Sequence, residues 1–305
     1  YGIDSFGGLA DYFRNDVPAV FAAVENETLQ TEFAEANTEA ADAMQDLTNW
    51  LKSNLGNATE DYAIGPELFQ QMIYDTERVN VSLGELESIA WADLKRNQLA
   101  LGEACAEFAA GESIRSCFSR MANRKPPGGA VEAAQRQLEE TKAFLIEKDL
   151  VTIPVGEEAL VAESPPYARS NSAYINIPGP YEKNQPSVYY ISPPNPSWPE
   201  EVQMAYVPGE SALLFTSVHE VWPGHFLSFV HANRAQWEFC RIFLTYAFVF
   251  GWAHYREVMM LEAGLWDRSP ENRIGQLEKA LISNARFLCT LGLHSAGMSV
   301  EESVK

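Results

Sequence analysis

The chain has 305 residues, of which 46% are hydrophobic and 21% charged, a composition that suits a globular protein with a sizeable core and excludes a disordered or fibrous chain. Its 42 Asp and Glu against 22 Lys and Arg give a formal net charge of -20. Nucleic-acid phosphates would be repelled over most of such a surface, so no nucleic-acid partner is expected.

From about Thr28 to Lys148 apolar residues recur at three and four positions, as in Leu68, Met72, Ile73 and Val79. This predicts four or five helices, broken at Gly56-Asn57, Gly65-Pro66 and Pro126-Pro127-Gly128-Gly129. Within this half Cys105 and Cys117 flank a short turn between two helical stretches, a layout that permits a disulfide. Cys240 and Cys289 sit among apolar residues and read as core thiols. No pair has the C-x-x-C spacing of a zinc knuckle or redox motif.

The character of the chain changes at Val151. Ten of the 17 prolines fall between Pro165 and Pro208, and the pieces Val151 to Val155, Ala159 to Glu163, Ala173 to Ile177 and Ser187 to Ser192 are short, β-branched or aromatic. They predict a small sheet joined by proline-rich loops. From Ser211 helices are expected again, over Ala212 to Trp222, Phe226 to Ala235, Phe239 to Leu265 and Glu271 to Leu293. The apolar run Phe239 to Ala253 carries Arg241 and falls short of the roughly 20 residues a membrane helix needs, so it reads as a core helix and no transmembrane segment is expected. The fold class is therefore mainly α with a small β-sheet, α+β, in one domain with a helical part (1–150), a sheet part (151–210) and a second helical part (211–305).

Chemistry concentrates at His219-Glu220-Val221-Trp222-Pro223-Gly224-His225, which holds two of the five histidines. Zinc hydrolases use neutral imidazoles to hold the ion and a nearby carboxylate to accept a proton from water. The histidines here are six apart, and on a straight helix six steps rotate a side chain by roughly 240°. Pro223 and Gly224 lie between them and can break the helix. Two readings stay open. The break swings His225 back toward His219 to hold a metal, or the helix simply ends and both imidazoles satisfy buried polar groups. Ser217, close to His219 in sequence, does not by itself define a triad, which depends on spatial geometry.

Five segments carry a family resemblance. They are Thr216 to Phe226 around this motif, Gly251-Trp252-Ala253-His254-Tyr255, Gly292 to Ser299, Pro165-Pro166-Tyr167-Ala168-Arg169, and Tyr189-Tyr190-Ile191-Ser192-Pro193-Pro194. Together they resemble the bacterial domain of unknown function 885 family, through nearly all of the chain, with both ends of a full family member expected to be missing. The family is grouped with zincin-like metallopeptidases, and many members carry export signals or lipoprotein anchors. The resemblance thus implies a zincin-like architecture, a zinc-dependent hydrolase of peptides, one zinc ion, a peptide substrate, and a periplasmic or secreted location.

Carried over by position, His219 and His225 are the paired metal ligands and Glu220 the general base. A glutamate usually precedes the Gly-Trp-Ala motif in the family, and here that position is Phe250. Phenylalanine cannot bind zinc, and catalytic zinc sites use three protein ligands. His254, one helical turn beyond Phe250, is the expected substitute ligand, while Glu257 lies roughly 10 Å along the helix. Ser283 stands where an arginine is common, and Arg286 is a candidate for binding a substrate carboxylate. His294 and Tyr255 are candidate catalytic donors to an oxyanion. An edge of the sheet is expected to hold an extended peptide. The alternative is a non-catalytic peptide-binding protein with a degenerate metal site, and a further one is a helical scaffold in which the motif histidines serve stability.

Overall fold

The protein is described by a computed structural model covering residues 2–59 and 61–304. The chain divides into two compact units, Tyr1–Tyr62 with Ser164–Ser172, and Ala63–Glu163 with Ala173–Lys305.

The smaller unit is built on α1 (Gly2–Asn15), α2 (Val17–Phe21) and α3 (Glu27–Asn54). Asn26 caps α3 by accepting a hydrogen bond from the Leu29 N–H at 3.1 Å, satisfying one of the unpaired donors of the first turn. Ala10 and Ala41 are buried where α1 lies along α3, and their small side chains let the two helices approach. Asn37 donates to the Phe13 carbonyl at 2.6 Å and ties the pair further.

The larger unit begins with α4 (Pro66–Glu77), α5 (Leu83–Phe108), α6 (Ile114–Asn123) and α7 (Ala130–Lys148). Helix α4 starts at the expected Gly65-Pro66 and α6 parts from α7 at the expected Pro126 to Gly129, while the break between α4 and α5, at Arg78 in the left-handed region, was not expected. Cys105 and Cys117 are joined in a disulfide that staples α5 to α6. Replacing both cysteines by alanine is expected to lower unfolding free energy by about 2–4 kcal/mol, since the bridge closes a loop in the unfolded chain. Denaturant melts of the variant against the oxidised parent would show it, and coincident curves would contradict it.

Strands β1 (Ala159–Glu163), β2 (Ala173–Asn176) and β3 (Ser187–Ile191) form a three-stranded sheet of order β1-β3-β2, parallel between β1 and β3 and antiparallel between β2 and β3. Alternate residues Ser187, Tyr189 and Ile191 of the central strand are buried, as a strand with one face on a core requires. The remaining helices are α8 (Glu200–Tyr206), α9 (Glu210–Glu220), α10 (His225–Ala232), α11 (Glu238–Ile242), α12 (Tyr246–Ala263), α13 (Pro270–Ser295) and α14 (Val300–Ser303). The main core joins α7, the sheet, α9 and α10 through Leu138, Leu145, Tyr189, Leu214, Phe215 and Phe226. Helix α13 packs along both α5 and α9, so a mainly helical fold with a small sheet is what the chain adopts. No helix among the described residues is long and apolar enough to cross a membrane.

Four expectations need correction. The piece Val151 to Val155 is not a strand. Asp149 ends α7 in the left-handed region, Pro154 cannot donate to a ladder, and Gly156 turns the chain at φ 83°. The expected helix Phe239 to Leu265 is two helices, because Thr245 caps α12 by accepting from the Phe248 N–H. Nor is the apolar run there a core element, since Phe239, Phe243, Tyr246 and Phe248 are all exposed. Cys240, on the five-residue α11 that buries no residue, is exposed for the same reason, and Cys289 is half-buried with its Sγ 3.4 Å from the Ser303 carbonyl. Neither is a core thiol.

Candidate functional site

Helix α9 ends at Glu220, the segment Val221 to Gly224 reverses the chain, and α10 starts at His225. This break brings the paired histidines together, with His219 Nε2 3.1 Å from His225 Nε2. Gly224 makes the reversal possible, because a Cβ there would overlap the carbonyls of His219 and Val218. The buried Arg256 donates to the Gly224 carbonyl and stacks 4.0 Å over the Trp252 ring, which holds the turn in place.

Helix α12 supplies the rest of the cluster. Glu257 is fully buried, and its Oε1 accepts from His219 Nδ1 at 2.6 Å and His254 Nδ1 at 3.2 Å. Those two bonds place a proton on each Nδ1, so in the neutral rings each Nε2 keeps a lone pair. His254 Nε2 in turn accepts from the Ser283 hydroxyl of α13 at 2.9 Å. Glu257 Oε2 and His225 Nδ1 are buried without a hydrogen-bond partner.

The electrostatics follow from burial. Burial, reinforced by the neighbouring His219, Arg256 and His254, pushes His225 down to about 3 and keeps it neutral. Burial alone would raise Glu257, but the imidazoles of His219 and His254 outweigh it and hold the carboxyl below its ordinary value. Glu220 goes the other way. Its burial raises the carboxyl, although His219 and the Ile175 backbone N–H of edge strand β2 oppose the shift. The Tyr189 hydroxyl, fully buried near Glu220, is pushed up by burial and by that charge. Lys279 of α13 is pulled down by burial, against Glu278, Glu257 and Glu220, which favour its charged form.

These donors fit a metal ion in part. The two Nε2 atoms converge, and a carboxylate behind His219 is the kind of outer partner that fixes a ligating imidazole. A third protein ligand is another matter. Phe250 sits with its ring 5.0 Å from His225 and 6.5 Å from His219. His219, His254 and Glu257 offer ligand atoms within 4.8 Å of one another, a group that could hold a metal ion, and His254 there bonds Glu257 through Nδ1 and Ser283 through Nε2.

Of the other expected site residues, only Tyr255 borders this cluster. His294 stacks on Phe69 at 5.7 Å, eleven residues or about 16 Å along α13 from Ser283, which removes it from this cluster as an oxyanion donor. Arg286 is exposed and neighbours Lys279. Tyr255 stacks on Trp252 and lines a cavity of about 850 Å³ together with His254 and Ser283. Sequence reasoning missed Glu257 as the hub. The available signal was its spacing of three from His254 on a helix, which puts the two on one face.

The fold has counterparts among solved structures. A "putative lipoprotein of unknown function" from Shewanella oneidensis aligns at TM-score 0.71 and 22% identity over 96% of this chain and 56% of its own. A "putative lipoprotein" from Colwellia psychrerythraea aligns at TM-score 0.74 and 17% identity over 97% of this chain and 52% of its own. At these identities the likeness is one of fold, and the chain spans little more than half the length of either. Comparison with curated proteins finds no match. Residues 1–305 match the model of the family described as bacterial protein of unknown function (DUF885), and the chain belongs to that family.

Proposed function

We propose that this protein is a zincin-like, metallopeptidase-like hydrolase scaffold whose zinc site, held by His219 and His225, lacks its third protein ligand. The observation that carries the reading is the 3.1 Å approach of the two Nε2 atoms, with Phe250 packed against the same pair. When bound, zinc supplies a Lewis acid that polarises a carbonyl. Glu220, beside His219 and half-buried, is the carboxylate suited to take a proton from an attacking water. Its neighbour Ile175 belongs to the edge strand β2, which pairs only with β3 and can accept an extended peptide as a further strand. That placement is the support for a peptide ligand.

A periplasmic or secreted location agrees with the disulfide, which persists in oxidising compartments, and with the lipoprotein descriptions of the two solved relatives. The second reading, a peptide-binding protein without catalysis, is favoured by Phe250 alone, since a two-imidazole site falls short of the three ligands of catalytic zinc. Zinc content of protein purified without chelators, with peptide hydrolysis by parent and Glu220→Gln, tests both. Stoichiometric zinc, and hydrolysis lost in the variant at unchanged zinc content, supports the enzyme. Peptide binding without zinc supports the second reading. Undiminished hydrolysis by Glu220→Gln would remove the base.

A further inference from the structure

Ser283, His254 and Glu257 are hydrogen-bonded in series. The Ser283 hydroxyl lies 2.9 Å from His254 Nε2, and His254 Nδ1 lies 3.2 Å from Glu257 Oε1. Both imidazole nitrogens are therefore used in the order that activates a hydroxyl, with one ring nitrogen facing the nucleophile and the other held by a carboxylate. Glu257 is fully buried, while Ser283 and His254 are half-buried and open on the cavity of about 850 Å³. The carboxylate is held from a second side by His219 at 2.6 Å, which fixes its orientation toward His254.

From this geometry we propose that Ser283, His254 and Glu257 form a metal-independent nucleophile, base and acid triad, and that the cavity takes an acyl ester. The site shares Glu257 with His219, but its nucleophile and base are not ligands of the proposed zinc site and its activity does not depend on zinc. Ser283 Oγ attacks the acyl carbonyl carbon while its proton passes to His254 Nε2. The bond from that carbon to the alcohol oxygen then breaks, and His254 returns the proton to the departing alcohol. Water attacks the acyl-Ser283 ester, gives its proton to His254, and the released Ser283 oxygen regains it as the carboxylic acid leaves.

The walls narrow the substrate class. Val258, Leu261 and Leu277 give part of the cavity apolar surface for an acyl chain, beside charged walls from Arg96, Glu262 and Arg273, and Tyr255 lines it with a phenol that can donate to the carbonyl oxygen. Ser283 lies inside α13 (Pro270–Ser295), where its own backbone N–H is committed to the helix and cannot stabilise an oxyanion as the nucleophile's N–H does in many acyl hydrolases. One phenol donor suits an ester, whose alkoxide leaves more readily than the amine of an amide.

The test uses the full chain with p-nitrophenyl butyrate and a fluorophosphonate probe, with and without a chelator. Expected are p-nitrophenolate release that survives the chelator, and one phosphonyl group per chain, located on Ser283 by peptide mass mapping. Ser283→Ala should lose the label and at least about 100-fold in kcat/KM, the lower range for a base-assisted nucleophile, with zinc content unchanged. His254→Gln should lose the label as well. No labelling of the parent, labelling elsewhere, turnover retained in Ser283→Ala, or turnover abolished by the chelator would each overturn the triad. Because the mass map is made on the parent, the assignment does not depend on the variants folding. Failure of zinc binding leaves these readouts untouched, so the two sites stand or fall separately.

Discussion

Replacing Phe250 by glutamate is expected to raise zinc affinity by at least about tenfold, because even outer partners of a metal site are worth 10–100-fold and here a direct ligand is supplied. The Phe250 ring already lies 5.0 Å from the His225 ring, and the side chain is 46% exposed, so the slimmer carboxylate enters without overpacking. The cost is the stacking of Phe250 on Tyr246 at 5.8 Å, worth about 0.5–1.5 kcal/mol. The variant should therefore be slightly less stable than the parent without zinc and more stable in excess zinc, since an ion that binds only the folded state stabilises it by mass action. Competitive titration and melting with and without zinc measure both effects. Equal affinity in parent and variant would remove His219 and His225 as a metal pair.

Glu257→Gln is expected to lower stability at neutral pH by about 2–3 kcal/mol. Two hydrogen bonds to a buried carboxylate are involved, and bonds to charged groups contribute about 1.5–3 kcal/mol each. Both bonds go to Oε1, so the amide oxygen keeps them only as weaker neutral bonds, and its NH₂ takes the buried place of Oε2, where it finds no acceptor. The pH dependence has a definite sign. Although burial alone would raise it, the carboxyl is held below its ordinary value of 4.5 by His219 and His254. Its stabilisation is therefore fully present above that value and lost as pH falls through the lower folded value. The gap between parent and variant should narrow below about pH 4.5 in denaturant melts, and a gap that widens in acid would contradict the assignment. The same variant weakens the proposed triad, so probe labelling of Ser283 should slow in it.

Much of the architecture was legible in local pattern. The strands Ala159–Glu163, Ala173–Asn176 and Ser187–Ile191 lie where β-branched and aromatic pieces bounded by turn residues had been read, because a short strand buried on one face announces itself by composition. The helix break at Pro223-Gly224 was equally readable, since proline and glycine act on the backbone beside them. Periodicity misled at Phe239 to Leu265. A run of aromatic residues has the same apolarity whether it meets a core or solvent, and the helix stop lay in the Thr245 cap rather than in the hydrophobic pattern.

The sequence alone determined the family motif, the chain break between His219 and His225, the small sheet and the acidic composition, and it permitted the disulfide. Each rests on residues close in the chain, or on composition. Only the tertiary structure decided that Glu257 rather than His254 is the buried hub, that His294 stacks on Phe69, and that Ser283 meets His254. The reason is physical. Those contacts depend on the rotation and register with which α12 and α13 pack, and these are set by the summed fit of many side chains along both helices, which no spacing within either helix records.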